Sequence, residues 1–214
     1  MRSTTSSSVR RTAHATSRIA EILKETARLH MELPDEHMAQ IARAAALMAR
    51  ALRRGRKIIW CGNGGSATQS QHMAAEFVGR FCRERRSLPS ISLTENMASV
   101  TAIGNDYHYD LIFARQLEGL GQSGDVVVGL STSGSSANVL AGLRKARQMK
   151  LTTIGFTGES GGRMREACDI CIRVPSTTTA RIQEAHLTIG HILCGLIEDA
   201  LFAPAAAKKS RSRA

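Results

Sequence analysis

The hydrophobic positions of this chain follow one spacing in its first quarter and another in the remainder. Apolar residues recur every three or four positions over 15–54, with Pro34 between two such stretches, which predicts a helical hairpin. Asp35 is the expected N-cap of the second helix, and Gly55 is expected to end it. Five short apolar runs follow, separated by longer segments of helical pattern. The runs are 57–61, 89–93, 125–130, 151–156 and 169–174.

Strands that alternate with helices are typical of a parallel sheet with helices on both faces. The pattern therefore predicts an α/β fold, a doubly wound five-stranded parallel sheet over 57–202, with residues 179–201 as a long amphipathic C-terminal helix. Ligands bind such sheets at the carboxyl ends of the strands. The residues that follow each apolar run are therefore the first candidates for a functional site.

Charge and aromatic content narrow the choice of partner. The 214 residues include 29 Lys and Arg against 18 Asp and Glu, a net charge of +11. Residues 1–12 and 203–214 supply seven of these charges and contain no acid, so we expect basic, disordered tails over 1–14 and 203–214. Aromatic residues make up only 4% of the chain, whereas nucleic-acid grooves use them to stack bases. Nucleic acid is therefore not an expected partner.

Cysteine usage and the ends of the chain indicate a compartment. Five cysteines at irregular spacing argue against a disulfide framework and favour the reducing cytoplasm. The Ser-, Thr- and Arg-rich first residues also fit an organellar transit peptide, but there is no apolar segment typical of a secretory signal. A membrane span needs about 20 uninterrupted apolar residues, and no stretch of the sequence approaches that length. Cys168 and Cys171 lie three apart on an expected strand, so we expect buried structural thiols that face opposite ways.

A hydroxyl-rich turn, 131–136, follows the third apolar run and directly precedes the helical segment that opens at Ala137. Backbone N–H groups and the dipole at a helix N-terminus favour an anion, and the hydroxyl groups add further donors. The turn lacks the lysine of a Walker A loop, so it suits one phosphate group rather than a nucleoside triphosphate. An ordinary serine-rich turn is the alternative.

The turn after the first apolar run also resembles a ligand-binding loop. Gly62, Gly64 and Ala67 match a loose dinucleotide fingerprint, G-x-G-x-x-A. That fingerprint needs an acidic residue near the end of the second strand, about 20 positions on, for the ribose. Glu84 falls before that strand in a basic patch, and Glu95 comes about 30 positions on. Ser66 and Gln69 have the spacing of a capping box, so a tight turn with a helix cap explains the same residues.

Two helical segments carry groups suited to a metal or to acid–base work. His72 and Glu76 are four apart and share a helix face. Gln183 and His191 are eight apart, about 12 Å along a helix, so convergence on one ion needs long side chains or a neighbouring subunit. Imidazole and carboxylate groups suit zinc. Each pair alone is also typical of an ordinary surface or core pair.

The motifs occur in a characteristic order between residues 15 and 202. They are CGNGGS, HMAAEF, GND at 104–106, GDVVVGLSTSGSSANV, FTGESGG and RIQEAHLTIGH. In this combination the chain resembles the sugar isomerase (SIS) family, and within it the phosphoheptose isomerase branch. That branch converts sedoheptulose 7-phosphate to D-glycero-D-manno-heptose 7-phosphate, the first step toward the nucleotide-activated heptose used in lipopolysaccharide, capsule or surface-layer glycans. The resemblance implies a single SIS domain, a sugar phosphate ligand, one Zn²⁺ per subunit and a homotetramer with active sites at its interfaces.

The resemblance also assigns roles to residues. Isomerisation through an enediol needs a base at carbon and a proton shuttle at oxygen, and we assign these to Glu76 and His191. The implied zinc ligands are His72, Glu76, Gln183 and His191. The implied substrate contacts are Asn63, Gly64, Gly65, Ser66, Glu76, Arg80, Asn105, Asp106, Ser131, Thr132, Ser133, Ser136 and Gln183. Ala180 departs from the pattern, since some members have an acid there.

Two other functions stay open on the sequence. One is a non-catalytic SIS protein that binds a sugar phosphate or the bacterial replication initiator. The presence of both Glu76 and His191, together with the STSG loop, favours the enzyme. The other is a dinucleotide-dependent oxidoreductase, which the missing ribose acid disfavours.

Overall fold

The computed structural model describes residues 4–203, with side chains for Thr12 and for residues 14–203. Nearly all of the expected C-terminal tail lies outside the described residues. The helices are α1 (Thr4–Met31), α2 (Asp35–Arg53), α3 (Gly65–Val78), α4 (Met97–Asp106), α5 (Ile112–Leu120), α6 (Ala137–Gln148), α7 (Met164–Ala167) and α8 (Thr179–Phe202), with a 3-10 turn at Tyr109–Leu111. The strands are β1 (Ile58–Gly62), β2 (Ser90–Ser92), β3 (Val126–Leu130), β4 (Thr152–Thr157) and β5 (Ile170–Arg173).

The strands form one parallel sheet in the order β2-β1-β3-β4-β5. Every predicted strand is confirmed, with small shifts at its ends. The prediction succeeds because β1 and β3 are buried along their whole length, and such strands appear in sequence as unbroken apolar runs. The chain turns in opposite directions from the neighbouring strands β1 and β3. The carboxyl ends of these two strands therefore border the crevice where open α/β sheets bind ligands.

Alternate residues of each strand point into two separate cores. Ile58 and Trp60 pack with α2, α3 and α8 on one face of the sheet. Ile59 and Cys61 pack with α5, α6 and α7 on the other. This arrangement confirms the doubly wound α/β fold.

The N-terminal hairpin differs from the prediction at its ends. Helix α1 begins at Thr4 rather than at residue 15, so the expected disordered segment over 1–14 is wrong from Thr4 onward. No Gly or Pro interrupts residues 4–14, so the backbone can continue the helix toward the N-terminus. The N-cap of α2 is Pro34 and not Asp35, which is the first helical residue. There its carboxylate does not cap the helix but interacts favourably with the helix dipole. Gly55 follows the end of α2 with φ +71°, as predicted.

The expectation that Cys168 and Cys171 face opposite sides is wrong. Strand β5 begins only at Ile170, and Cys168 lies in the bend before it. The Sγ of Cys168 would be 2.9 Å from a Cβ on Gly155, which is the β4 partner of Cys171 in the register. The two thiols therefore lie side by side and half-buried, and hydrogen bonding to Cys168 lowers the pKa of Cys171.

Helix α8 runs through the protein from the site to its far end. By length and composition alone it could cross a membrane, although the sequence contains no uninterrupted apolar run of that length. Its buried residues pack against α2 and α3, and α1 lies against it. Near its C-terminus the Glu198 carboxylate accepts hydrogen bonds from the backbone N–H groups of Phe81, Cys82 and Arg83 and pairs with Arg85 at 2.9 Å. Burial alone would raise the pKa of Glu198, but these donors hold it below its usual value.

We predict that protonation of His186 destabilises the fold in mild acid. Burial lowers the pKa of His186 from 6.5 to about 4, although its hydrogen bond with the Thr157 carbonyl (Nε2···O 3.3 Å) acts in the other direction. The unfolded chain takes up this proton near pH 6.5 and the folded chain only near pH 4. The stabilisation is therefore complete above pH 6.5 and is lost as the pH falls toward 4.

The free energy of unfolding in urea should fall by about 2 kcal/mol between pH 7.5 and pH 5 because of this residue. His186→Gln should remove that part of the pH dependence. His14→Gln, which changes an exposed histidine on α1, should keep it. Equal pH slopes in the parent and in His186→Gln would contradict the prediction.

Candidate active site

Three of the predicted functional side chains meet where α3 packs against α8. The two helices run in the same direction, because Gln69 contacts Gln183 near their starts and Phe81 contacts Glu198 near their ends. Between these points the Nε2 atoms of His72 and His191 lie 3.0 Å apart. The His72 Nε2 atom is also 3.2 Å from a carboxylate oxygen of Glu76. We call His72, Glu76 and His191 the histidine–glutamate cluster.

The histidine–glutamate cluster has the composition and spacing of a metal site. Its ligand atoms all lie within 4.8 Å of one another. A tetrahedral zinc ion with Zn–N bonds of about 2.0–2.1 Å would place two ligating nitrogens roughly 3.4 Å apart, close to the distance between the two imidazoles. Two imidazoles and a carboxylate are a ligand set found in zinc enzymes. The cluster can therefore hold a metal ion.

Gln183 lies apart from the cluster within this chain. Its side-chain nitrogen would be 2.7 Å from a Cβ on Gly65, at the start of α3. The eight residues from Gln183 to His191 correspond to about 12 Å of helix. Gln183 thus lies beside the glycine turn. Within a single chain this position fits its predicted role as a substrate contact but not its predicted role as a zinc ligand.

The predicted capping box at Ser66 is wrong. Helix α3 begins at Gly65 with Gly64 as its N-cap, and no side chain caps it. Gln69 instead donates to the backbone carbonyl of Gln183 at 2.6 Å, which links α3 to α8. Gly64 has φ +53°, a conformation that glycine adopts without strain. The turn leaves the first N–H groups of α3 without a side-chain acceptor at the carboxyl edge of the sheet.

The hydroxyl-rich turn folds so that its side chains converge. The Oγ of Ser131 lies 2.9 Å from the Oγ of Ser136 and 3.4 Å from that of Ser133. Helix α6 begins at Ala137, directly after this turn; its N-cap residue Ser136 makes no side-chain capping hydrogen bond, and Asn138 Oδ1 accepts from the N–H of Val139 at 2.9 Å. The hydroxyl groups therefore lie at the N-terminus of a helix, which is an arrangement that favours an anion. Thr132 is half-buried, and its carbonyl accepts from the N–H of Gly158 at 3.0 Å.

The loop after β4 packs its backbone against the backbone of this turn. Gly134 has φ +64°, and a Cβ there would lie 2.7 Å from Thr157 Oγ1. Its carbonyl accepts from the N–H of Met164 at 3.0 Å. A Cβ on Gly162 would lie 2.6 Å from the carbonyl oxygens of Ser133 and Gly134. The glycines of the FTGESGG motif are therefore explained by the close approach of two backbones, which their sequence alone did not predict.

Asn63 connects the glycine turn to the hydroxyl-rich turn. Its side-chain amide exchanges two hydrogen bonds, each of 2.8 Å, with the amide of Asn138 on α6. The hydroxyl of Tyr109 also donates to Asn63 Oδ1 at 3.2 Å. Gly64, Tyr109 and Met97 help to line a cleft of about 200 Å³ beside Asn63. Sequence reasoning missed Asn138 and Tyr109, because neither stands next to Asn63 in the chain.

Four other positions of interest lie outside these groupings. Asn105 and Asp106 end α4, are exposed and hydrogen-bond to each other at 2.8 Å. Arg80 follows α3, is exposed and pairs with Glu84 at 3.7 Å. Among the described residues, no hydrogen bond or ion pair joins these three to the other predicted site residues. Ala180 is exposed in the first turn of α8.

His191 is held from its other side by an aromatic ring. Phe81 stacks on the imidazole with ring centroids 5.4 Å apart and planes inclined by 25°. The backbone of Phe81 is held in turn by the buried carboxylate of Glu198. Sequence reasoning missed this support, since Glu198 and Phe81 lie more than 100 residues apart.

Comparisons with known proteins agree with this geometry. The family model described as the SIS domain matches residues 21–158. A phosphoheptose isomerase from Rhodospirillum rubrum is 55% identical over 161 residues, which cover 75% of this chain and 86% of the relative. One from Burkholderia pseudomallei is 45% identical over 194 residues, or 90% of this chain and 97% of the relative.

A solved structure supports the same relationship. The phosphoheptose isomerase of Neisseria gonorrhoeae is 38% identical and superposes with a TM-score of 0.82, covering 86% of this chain and 99% of that one. Both the sequence and the fold are therefore shared over nearly the whole of that structure. The chain belongs to the SIS-domain family and, within it, to the phosphoheptose isomerases.

Proposed function

We propose that this chain converts sedoheptulose 7-phosphate to D-glycero-D-manno-heptose 7-phosphate, an aldose–ketose isomerisation. The observation that carries the proposal is the presence, in one fold, of a carboxylate–imidazole cluster and a turn of converging hydroxyl groups. The first supplies groups that move protons, and the second supplies donors for a phosphate. The names of the similar proteins agree with this activity.

The residues divide the reaction between them. The Glu76 carboxylate takes a proton from C1 of the ketose and returns it to C2, and the His191 imidazole moves a proton from O1 to O2. Ser131, Ser133 and Ser136 bind the phosphate, so binding energy remote from the reacting carbons positions them. The predicted contacts of Asn63, Gly64, Gly65, Ser66, Arg80, Asn105, Asp106, Thr132 and Gln183 with the substrate belong to this proposal.

We predict that Glu76→Gln abolishes turnover and leaves the fold intact, because the amide cannot accept the carbon-bound proton. The experiment incubates the protein with sedoheptulose 7-phosphate and follows the aldose product. Glu32→Gln, which changes an exposed carboxylate directly after α1, is the matched control and should keep full activity. A parent protein that binds the sugar phosphate without turnover would support a non-catalytic SIS protein instead. Activity of Glu76→Gln close to that of the parent would remove Glu76 from the mechanism.

We also propose that the histidine–glutamate cluster holds one Zn²⁺ per subunit. When bound, the ion would act as a Lewis acid that polarises the substrate carbonyl. His72, Glu76 and His191 would hold it in the substrate-free enzyme, and Gln183 could complete the set only from another subunit. Because Glu76 cannot be a tightly bound ligand and a free base at once, its carboxylate would leave the ion when substrate binds.

Metal analysis of the purified chain should find about one zinc per subunit, the usual content of a single site. His72→Asn should lower that content at least tenfold, whereas His108→Asn, at an exposed histidine, should not change it. A chelator should remove the zinc and reduce the rate together. Equal zinc content in the parent and in His72→Asn would contradict the proposed site.

We further propose that the chain forms a homotetramer in the cytoplasm. Large apolar side chains are exposed on the hairpin, at Ile19 and Leu23, and beside the cluster, at Ile192 and Leu196. Burial between subunits would remove this apolar surface from water. The cysteines of the described residues are all free thiols, which fits a reducing compartment.

Light scattering should give a mass four times the chain mass of 23.1 kDa. The double variant Ile19→Glu with Leu23→Glu should lower the mass, because it places charges in the predicted interface. Lys24→Glu, an exposed polar position on the same helix, should leave it unchanged. A monomeric parent would contradict the proposed assembly.

A further inference from the structure

The two asparagines between the glycine turn and the hydroxyl-rich turn form a reciprocal amide pair. Asn63 Nδ2 donates to Asn138 Oδ1, and Asn138 Nδ2 donates to Asn63 Oδ1, both at 2.8 Å. Asn63 follows β1, and Asn138 is the second residue of α6, which follows β3. Since β1 and β3 are neighbours in the sheet, the pair bridges the crevice between their carboxyl ends.

The geometry fixes the orientation of both amides. Asn138 is 2% exposed, and its Oδ1 also accepts from the N–H of Val139 at 2.9 Å. That second bond identifies which atom of Asn138 is the oxygen, so its nitrogen must face Asn63. Asn63 Oδ1 accepts from both Asn138 and Tyr109. The oxygen of Asn63 is therefore occupied. One N–H of its amide has no acceptor among the described residues and is left to donate to a ligand.

We propose that Asn138 is a positioning residue, and this proposal rests on the proposed function. It touches no substrate. It fixes the amide of Asn63 so that the free N–H donates to an oxygen of the sugar. Because Asn138 belongs to the helix that begins at the hydroxyl-rich turn, it also holds that donor at a set distance from the phosphate. The ligand class is a phosphorylated polyol or sugar long enough to reach both groups.

This role predicts different effects on two ligands. A sugar phosphate uses both the hydroxyl-rich turn and Asn63, so release of the amide should weaken it. Inorganic phosphate uses only the turn and should bind as before. A purely structural role of Asn138 in the first turn of α6 would weaken both ligands together, since the turn and the helix are continuous.

Asn138→Asp tests the orientation directly. The charged carboxylate keeps the bonds from Asn63 Nδ2 and Val139 but repels Asn63 Oδ1. Once protonated, its O–H can donate to that oxygen as the amide does. Affinity for sedoheptulose 7-phosphate should therefore fall about tenfold to hundredfold at pH 8, relative to the parent, and recover toward pH 5 in step with protonation of the introduced carboxyl, which a carbon-13 NMR titration of the variant follows. Tyr109 is the titratable group in contact with the pair, and the parent comparison removes its contribution.

The readouts are the dissociation constants of sedoheptulose 7-phosphate and of inorganic phosphate by calorimetry, together with kcat/KM. Asn138→Ser, which is too short to reach Asn63, should show the loss at both pH values and keeps the test open if Asn138→Asp does not fold at pH 8. Asn96→Asp, at the exposed N-cap of α4, is the matched control and should show no loss at either pH.

Two results would overturn the inference. One is an affinity of Asn138→Ser for sedoheptulose 7-phosphate equal to that of the parent, and the other is an equal loss for inorganic phosphate in Asn138→Ser, which adds no charge beside the hydroxyl-rich turn. The proposed function fails separately, when the parent binds sedoheptulose 7-phosphate but produces no aldose. In that case the dissociation constants still decide the role of Asn138.

Discussion

The close approach of α8 to α3 at Gly190 is the contact on which the histidine–glutamate cluster depends. A Cβ at Gly190 would collide with the Met73 side chain, so a larger residue here requires that thioether to move or the two helices to separate. His191 follows Gly190 and His72 precedes Met73, so the contact sets the 3.0 Å separation of the imidazoles. Where the helices move apart, the ligands separate although none of them has been altered. The site therefore rests on helix packing as much as on its own chemistry.

The same helix is fixed at its other end by a buried charge. Glu198 gathers three backbone N–H groups and Arg85, all from the segment that follows α3. A buried carboxylate is costly unless its oxygens are satisfied, and here four donors satisfy them. This holds Phe81 against His191, so the imidazole is packed on one side by Phe81 and faces His72 on another. Packing and electrostatics thus restrict the imidazole to one orientation.

The sequence predicted what depends on local pattern and missed what depends on contacts between distant segments. The strands were visible because burial on both faces leaves continuous apolar runs, as in VVVGL of β3. The hydroxyl-rich turn was visible because its parts are adjacent in sequence. The partner of Gln69 was not visible, because the spacing of Ser66 and Gln69 fits a capping box equally well and says nothing about a bond to Gln183. Asn138 was missed for the same reason, because only the pairing of β1 with β3 brings it to Asn63.

The separation between the two halves of the site has a consequence for assembly. The hydroxyl-rich turn lies at the carboxyl edge of the sheet, whereas His72 lies seven residues into α3, about 10 Å from its start. His72 is 47% exposed, and the apolar side chains of Ile192 and Leu196 are exposed beside it. A cluster of proton-transferring groups in open water would work in a high dielectric, where electrostatic effects on catalysis are weak. A neighbouring subunit packed on this face would exclude that water. Under the proposed function, assembly is therefore part of the catalytic machinery as well as of stability.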